Sequence, residues 1–179
     1  MSSPVKVLLQ GTWKGRGHVL KATGEVVTQY LETATFEPTR KTPTFVVCRV
    51  HQDTKNVATG KPMHTETGFL KIMIDDSGDG NSDATMGLTH PFPSGMVQEI
   101  STGTWNAADR KLTLTAQKFS RLDSPDNNAK SVTGFKRVYT IVQGDDTKLH
   151  YDQYMAAGGG EMYHHLHCEM ERVVDQKED

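Results

Sequence analysis

Most of the devices that stabilise or target small proteins are missing from this chain. Its 179 residues hold only two cysteines, Cys48 and Cys168, too few for the disulfide framework of a secreted module and without the paired spacing of a zinc site. Both read as buried thiols rather than redox centres. No stretch approaches the roughly 18 consecutive apolar residues that would span a bilayer, and Met1-Ser2-Ser3-Pro4 has neither the basic nor the long apolar region of a signal peptide. These absences point to a cytoplasmic protein with no membrane partner. A formal charge of −2 gives no basic footprint, so nucleic acid is set aside as a partner. Nowhere does an apolar period near 3.6 residues persist, which removes amphipathic helices from the expected architecture.

What is present is a succession of short β-prone runs. Strands are expected at 28–36, 44–50, 67–74, 83–90, 95–101, 103–105, 111–118, 134–142, 148–155 and 164–173, after an amino-terminal element at 5–14. Strong turn chemistry separates them, as at Glu37-Pro38, Pro91-Phe92-Pro93-Ser94-Gly95 and Gly144-Asp145-Asp146. Alternation gives the inward phase in places. Leu70, Ile72 and Ile74 lie on one face with Phe69 on the other, and Leu112 and Leu114 alternate with Thr113 and Thr115. Around ten strands in one chain imply an all-β fold closed into an antiparallel barrel or two-sheet clam, because closure removes aggregation-prone edges. The apolar content of 35% and charged content of 23% suit one globular domain over 1–174, followed by a polar tail, 175–179.

A ten-stranded barrel is wider than one whose side chains fill the lumen, so its interior is expected to hold a ligand. Seven of the eight methionines fall in or beside the expected strands, and flexible thioethers suit a cavity for a bulky apolar guest as well as ordinary core filling. Histidines cluster at the start of the last strand, at His164, His165 and His167. Imidazole is the commonest metal ligand, so three of them beside an apolar interior make a candidate haem site. In a regular strand His164 shares a face with Leu166, Cys168 and Met170, whereas His165 shares one with His167, Glu169 and Glu171. Parity alone therefore turns His164 inward.

Two motifs narrow the family. GTWKGRG at 11–17 carries glycines in a dinucleotide-like pattern, but no βαβ unit surrounds it. Its Trp13 reads instead as a plug for one end of a barrel, with glycines that let the chain turn tightly. KPMHTETGFLK at 61–71 runs from loop into strand. Together with QYLE at 29–32, Met155-Ala156-Ala157 and HLHCEMERV at 165–173, these motifs resemble the nitrobindin family, in the family's order and over nearly the whole folded chain.

That resemblance implies a ten-stranded antiparallel barrel of the calycin or fatty-acid-binding-protein type, with one haem b held at an open end. It further implies a ferric iron that binds nitric oxide and isomerises peroxynitrite to nitrate. His165 falls on the family's proximal iron ligand, with His164 as runner-up; Met155 falls on a pocket methionine, and Met63 and His64 on the distal side. His64 either donates a hydrogen bond to bound ligand or lines an apolar wall. Thr23 stands for a family threonine near haem, although the family's Tyr-Pro is replaced in Leu20-Lys21-Ala22-Thr23-Gly24 and an extra residue lies before Tyr30. Ligation by His165 requires an irregular backbone, a loop or a rim bulge, which Gly158-Gly159-Gly160 just upstream makes available. The rival function is a haem-free carrier of a lipid or similar hydrophobic ligand, which would need an inward arginine to fix a carboxylate. Arg49, Arg137 and Arg172 are candidates, with Arg172 favoured by its place on the closing strand. Monomer and homodimer both remain open, as do detoxification and nitric oxide sensing.

Overall fold

The computed structural model describes residues 8–74, 81–92, 95–123 and 132–174. Ten strands run in order: β1 (Gly11–Leu20), β2 (Val26–Lys41), β3 (Phe45–Asn56), β4 (Pro62–Met73), β5 (Asn81–Phe92), β6 (Gly95–Asn106), β7 (Lys111–Asp123), β8 (Val132–Ile141), β9 (Lys148–Ala157) and β10 (Tyr163–Arg172). Each pairs antiparallel with its sequence neighbours, and β10 returns to β1 to close the barrel. No helix among the described residues is long and apolar enough to cross a membrane.

Strand number agrees with expectation through two offsetting differences. The runs at 95–101 and 103–105 are one strand, β6, whose pairing with β7 slips between Ile100 and Ser101. The missing tenth strand is the GTWKGRG motif, which is β1 rather than a turn; residues 5–7 of the expected amino-terminal element lie outside the described residues. Gly15 and Gly17 serve close approach rather than turning. A Cβ on Gly15 would stand 2.0 Å from the Glu169 carbonyl oxygen, and one on Gly17 would stand 2.4 Å from that of His167 and 2.5 Å from the Tyr30 ring. Any side chain there pushes β10 away from β1.

Leu70, Ile72, Leu112 and Leu114 are buried as their alternation requires, while Phe69 is turned to solvent. The methionines divide: Met86 and Met170 are core residues, Met73 and Met162 are exposed. Trp13 is fully buried and donates its indole N–H to the Leu9 carbonyl at 2.8 Å. The Arg172 guanidinium lies 4.2 Å over its ring and donates to the carbonyls of Leu8, Gln10 and Asp146. Trp13 and Arg172 thus close one end of the barrel. Because consecutive strands alternate in direction, the odd-numbered strands finish and the even-numbered strands begin at the opposite end.

The barrel's middle is filled by side chains instead of forming the ligand chamber expected from strand number. Arg137, Tyr139, Tyr151, Met86 and Leu114 are all fully buried there.

Candidate functional site

At the opposite end the strand register slips at Val19/Leu20, Asp53/Lys55 and Val132/Gly134, and on β10 it slips at the histidines. On β10, His164 pairs with Tyr154 and Leu166 with Gln153, leaving His165 as an extra residue without a cross-strand partner. A bulge of one residue reverses the alternation that follows it. Leu166, Cys168 and Met170 are accordingly buried while His164 faces outward, against the parity of a regular strand. His164 stacks on Tyr154 with ring centres 4.9 Å apart, and its Nε2 lies 2.9 Å from Asp152 Oδ1.

His165 has the opposite environment. Its ring is half-buried, edge-on to Tyr163 at 5.8 Å, and its Nδ1 is buried with no hydrogen-bond partner. Burial pushes its pKa below the usual histidine range; the Leu20 backbone pulls the other way, while His64 and His164 add to the depression. The ring is therefore held neutral, the form that binds a metal. A buried polar atom left unpaired costs about 1–3 kcal/mol, a penalty that coordination would remove. By that test the residues present fit a haem iron.

The strand order brings the other candidates to the same end. Met63 and His64 open β4, Met155 lies near the end of β9 directly across from Tyr163, and Thr23 sits exposed in the turn from β1 to β2. Between Thr23 and Tyr30, Val27 is skipped where the β1–β2 register shifts between Val19 and Leu20. His64 is mostly buried and bridges rim and interior. Its Nδ1 lies 3.4 Å from Thr54 Oγ1 and its Nε2 3.4 Å from Glu66 Oε1.

Glu66 leads into a buried ionic cluster that the sequence reading missed. Arg137 is wholly inside the barrel. It donates through Nη1 to Glu66 Oε2 at 2.8 Å and to the Tyr151 hydroxyl at 2.7 Å, and through Nη2 to Glu99 Oε2 at 2.9 Å. His90 sits between the carboxylates, its Nδ1 2.8 Å from Glu66 and its Nε2 3.4 Å from Glu99. Burial works against ionisation of both glutamates, yet Arg137 and His90 hold Glu66 well below the usual carboxylate range and bring Glu99 down to about 2. Burial disfavours charge on His90 too, but Glu66 outweighs it and raises the pKa. Nearby Glu32 makes no ion pair among the described residues: it accepts from Gln52 at 2.7 Å, and burial pushes it up to about 7. A signal for these residues existed in the alternation, since Glu66 is in phase with Leu70 and Ile72, and Arg137 with Tyr139 and Ile141.

The arginine favoured for a carrier is therefore not the inward one. Arg172 closes the far end and Arg49 pairs with exposed Glu37, whereas Arg137 is inside but already neutralised by two carboxylates. An incoming fatty carboxylate finds no free charge at that arginine.

Comparison with known proteins meets this geometry at the level of the whole chain. The model of the THAP4-like, heme-binding beta-barrel domain matches residues 3–172. Peroxynitrite isomerase 2 of Mycobacterium marinum is 33% identical over 168 residues, covering 92% of this chain and 90% of the relative. Peroxynitrite isomerase 1 of Mycobacterium tuberculosis is 30% identical over 171 residues, with 92% and 90% covered. The crystal structure of Rv2717c from M. tuberculosis aligns with a TM-score of 0.66 and 30% identity, over 93% of this chain and 94% of that one. The nitrobindin-like motifs, the closed ten-stranded barrel and a family match over almost the full length agree: this chain belongs to the THAP4-like haem-binding β-barrel family.

Proposed function

We propose that this chain holds one haem b per barrel through His165, binds nitric oxide there and isomerises peroxynitrite to nitrate. The observation that carries the reading is the bulge at His165, which leaves a buried, unpartnered imidazole nitrogen at the open end of the barrel. If bound, haem would supply an iron able to take a small anion or nitric oxide. Everything else falls to the protein. His165 is kept neutral by burial and fixed by the rigid strand pairing on either side of the bulge. Met63 and Met155 give the rim an adaptable apolar lining, and Thr23 stands at its edge as a further candidate contact. His64 is the distal candidate, with the Glu66 carboxylate behind it to orient the ring, the arrangement by which a carboxylate commonly fixes a histidine tautomer. The reading places the protein in the cytosol, where reduced thiols persist.

The test is an optical titration with hemin of wild type, His165→Ala and His164→Ala, followed by nitrate yield from added peroxynitrite. Saturable ferric haem uptake by wild type and His164→Ala, lost in His165→Ala, is expected. Uptake that survives in His165→Ala, or fails only in His164→Ala, would overturn the ligand assignment; a wild type that rejects hemin would overturn the function.

A further inference from the structure

The bulge that turns His165 inward turns a second set of ligating groups outward. His18 on β1, His167 on β10 and Asp152 on β9 are direct cross-strand neighbours in one row of the outer wall. Asp152 Oδ1 lies 2.8 Å from His167 Nδ1 and 2.9 Å from His164 Nε2, and the three potential ligand atoms all fall within 4.8 Å of one another. His18 and His150 complete the surroundings, their ring centres 5.4 and 6.0 Å from that of His167. Half of the chain's eight histidines thus crowd one patch. Glu169 adds negative charge 3.6 Å from His167 Nε2.

We propose that His164, His167 and Asp152 form a site for a borderline divalent cation of the zinc class on the outer wall of the barrel. Two imidazole nitrogens and a carboxylate oxygen are the ligand types such ions select, and a tetrahedral site leaves its fourth position to water. Ligand atoms ~2.0–2.1 Å from zinc stand ~3.3 Å apart in a tetrahedron, so the nitrogens need to open from Asp152 by only ~0.4 Å. The His164 and His167 rings, 6.1 Å apart at their centres, close by about 1 Å to meet one tetrahedral ion. His164 is free to make that movement because its side chain is more than a third exposed and held by one stack and one hydrogen bond. On binding, each ring presents a lone pair at the nitrogen that faces Asp152 and carries its proton on the other ring nitrogen.

Such a site joins residues on both sides of the bulge to the neighbouring strand. His164 precedes the extra residue, His167 follows it, and Asp152 belongs to β9. Bound metal is therefore a clamp on the backbone that presents His165, yet it does not depend on haem.

Full-length protein, stripped with chelator and kept haem-loaded, is titrated with zinc chloride by calorimetry and then melted with and without zinc. One equivalent bound at micromolar affinity, with a raised Tm, is expected in wild type. His167→Gln and Asp152→Asn each weaken binding more than the ~10-fold that losing an orienting partner produces, with unchanged circular dichroism. His51→Gln leaves binding unchanged, since the exposed His51–Asp53 pair has the same 2.8 Å contact without a third ligand. Chelator-stripped His165→Ala retains the site, which separates this proposal from the haem assignment. Absence of saturable binding below ~100 μM, affinity indifferent to His167→Gln and Asp152→Asn, or loss of zinc in His165→Ala would each overturn it.

Discussion

Replacing Arg137 by Met probes the least replaceable charge in the barrel. The guanidinium is fully buried and neutralises two carboxylates, Glu66 and Glu99, that are themselves almost completely buried. Removing one side of a buried ion pair costs about 3–5 kcal/mol because the remaining charge has no water to solvate it. His90, already drawn toward its charged form, stays beside both glutamates and holds the loss toward the lower end of that range. A domain of this kind is stable by about 5–15 kcal/mol in total. With a urea slope of about 2–3 kcal/mol per molar, the unfolding midpoint falls by roughly 1–2 M at pH 7. The direction of the pH dependence also reverses locally. In wild type both glutamates titrate below the unfolded value of about 4.3, so their stabilisation is complete above that pH and is lost as pH falls through their folded values, about 2 for Glu99. In the variant, burial without the cation raises their pKa values. The deficit is then full at neutral pH and shrinks as pH falls from 7 to 5. Equilibrium urea unfolding by tryptophan fluorescence measures both effects, and Arg137→Met/Glu66→Gln/Glu99→Gln should recover at least half of the loss. A midpoint shift below ~0.5 M at pH 7, or a deficit that widens on acidification, would refute the reasoning.

Glu32→Gln keeps the oxygen that accepts from Gln52 while removing a carboxyl whose pKa burial raises to about 7. Since the folded value lies above the unfolded one, the glutamate destabilises increasingly from about pH 4.3 to 7; the variant should match wild type at pH 4 and exceed it by a few kcal/mol at pH 8 in urea titrations. Gly68→Ala would place a Cβ 1.9 Å from the Gly87 carbonyl oxygen. It should lower stability by at least ~2 kcal/mol, whereas a Cβ on Gly87 meets nothing nearer than 4.0 Å, so Gly87→Ala leaves the thermal midpoint within error. Cys48 and Cys168 are buried free thiols, with burial pushing Cys48 up to about 11 and Cys168 further. Iodoacetamide at pH 8 should label neither in native protein and both in urea, read by mass spectrometry. If His64 hydrogen-bonds an anion on the loaded haem, His64→Leu speeds cyanide release by ~5–10-fold, the worth of one net hydrogen bond; an unchanged rate assigns His64 to the wall alone.

Local chemistry made the barrel legible before any coordinates. Apolar alternation placed Leu70, Ile72, Leu112 and Leu114 inside, and turn-forming residues marked the strand ends, because both depend only on neighbours along the chain. The expected break near Thr102 had a real source in the register slip at Ile100 and Ser101, although pairing continues through it. The amino-terminal motif was misread as a turn for a different reason. Its glycines answer to the backbone of β10, more than 150 residues later in the sequence.

The site divides along the same line. The motif resemblance named His165, Met63, His64 and Met155, and strand order alone carries them to one end of the barrel. Which histidine turns inward was not decided by residue pattern, since a bulge is set by how β10 must register on β9, and one inserted residue reverses every side chain beyond it. Nor could pattern alone pair Arg137 with Glu66, 71 residues away. A buried charge is stable only with its counter-charge in place, and that partner is supplied by closure of the barrel. The sequence by itself determined that there would be a closed β-barrel and which residues belonged near its mouth. The tertiary structure decided which imidazole faces in, which faces out toward Asp152, and what fills the interior between.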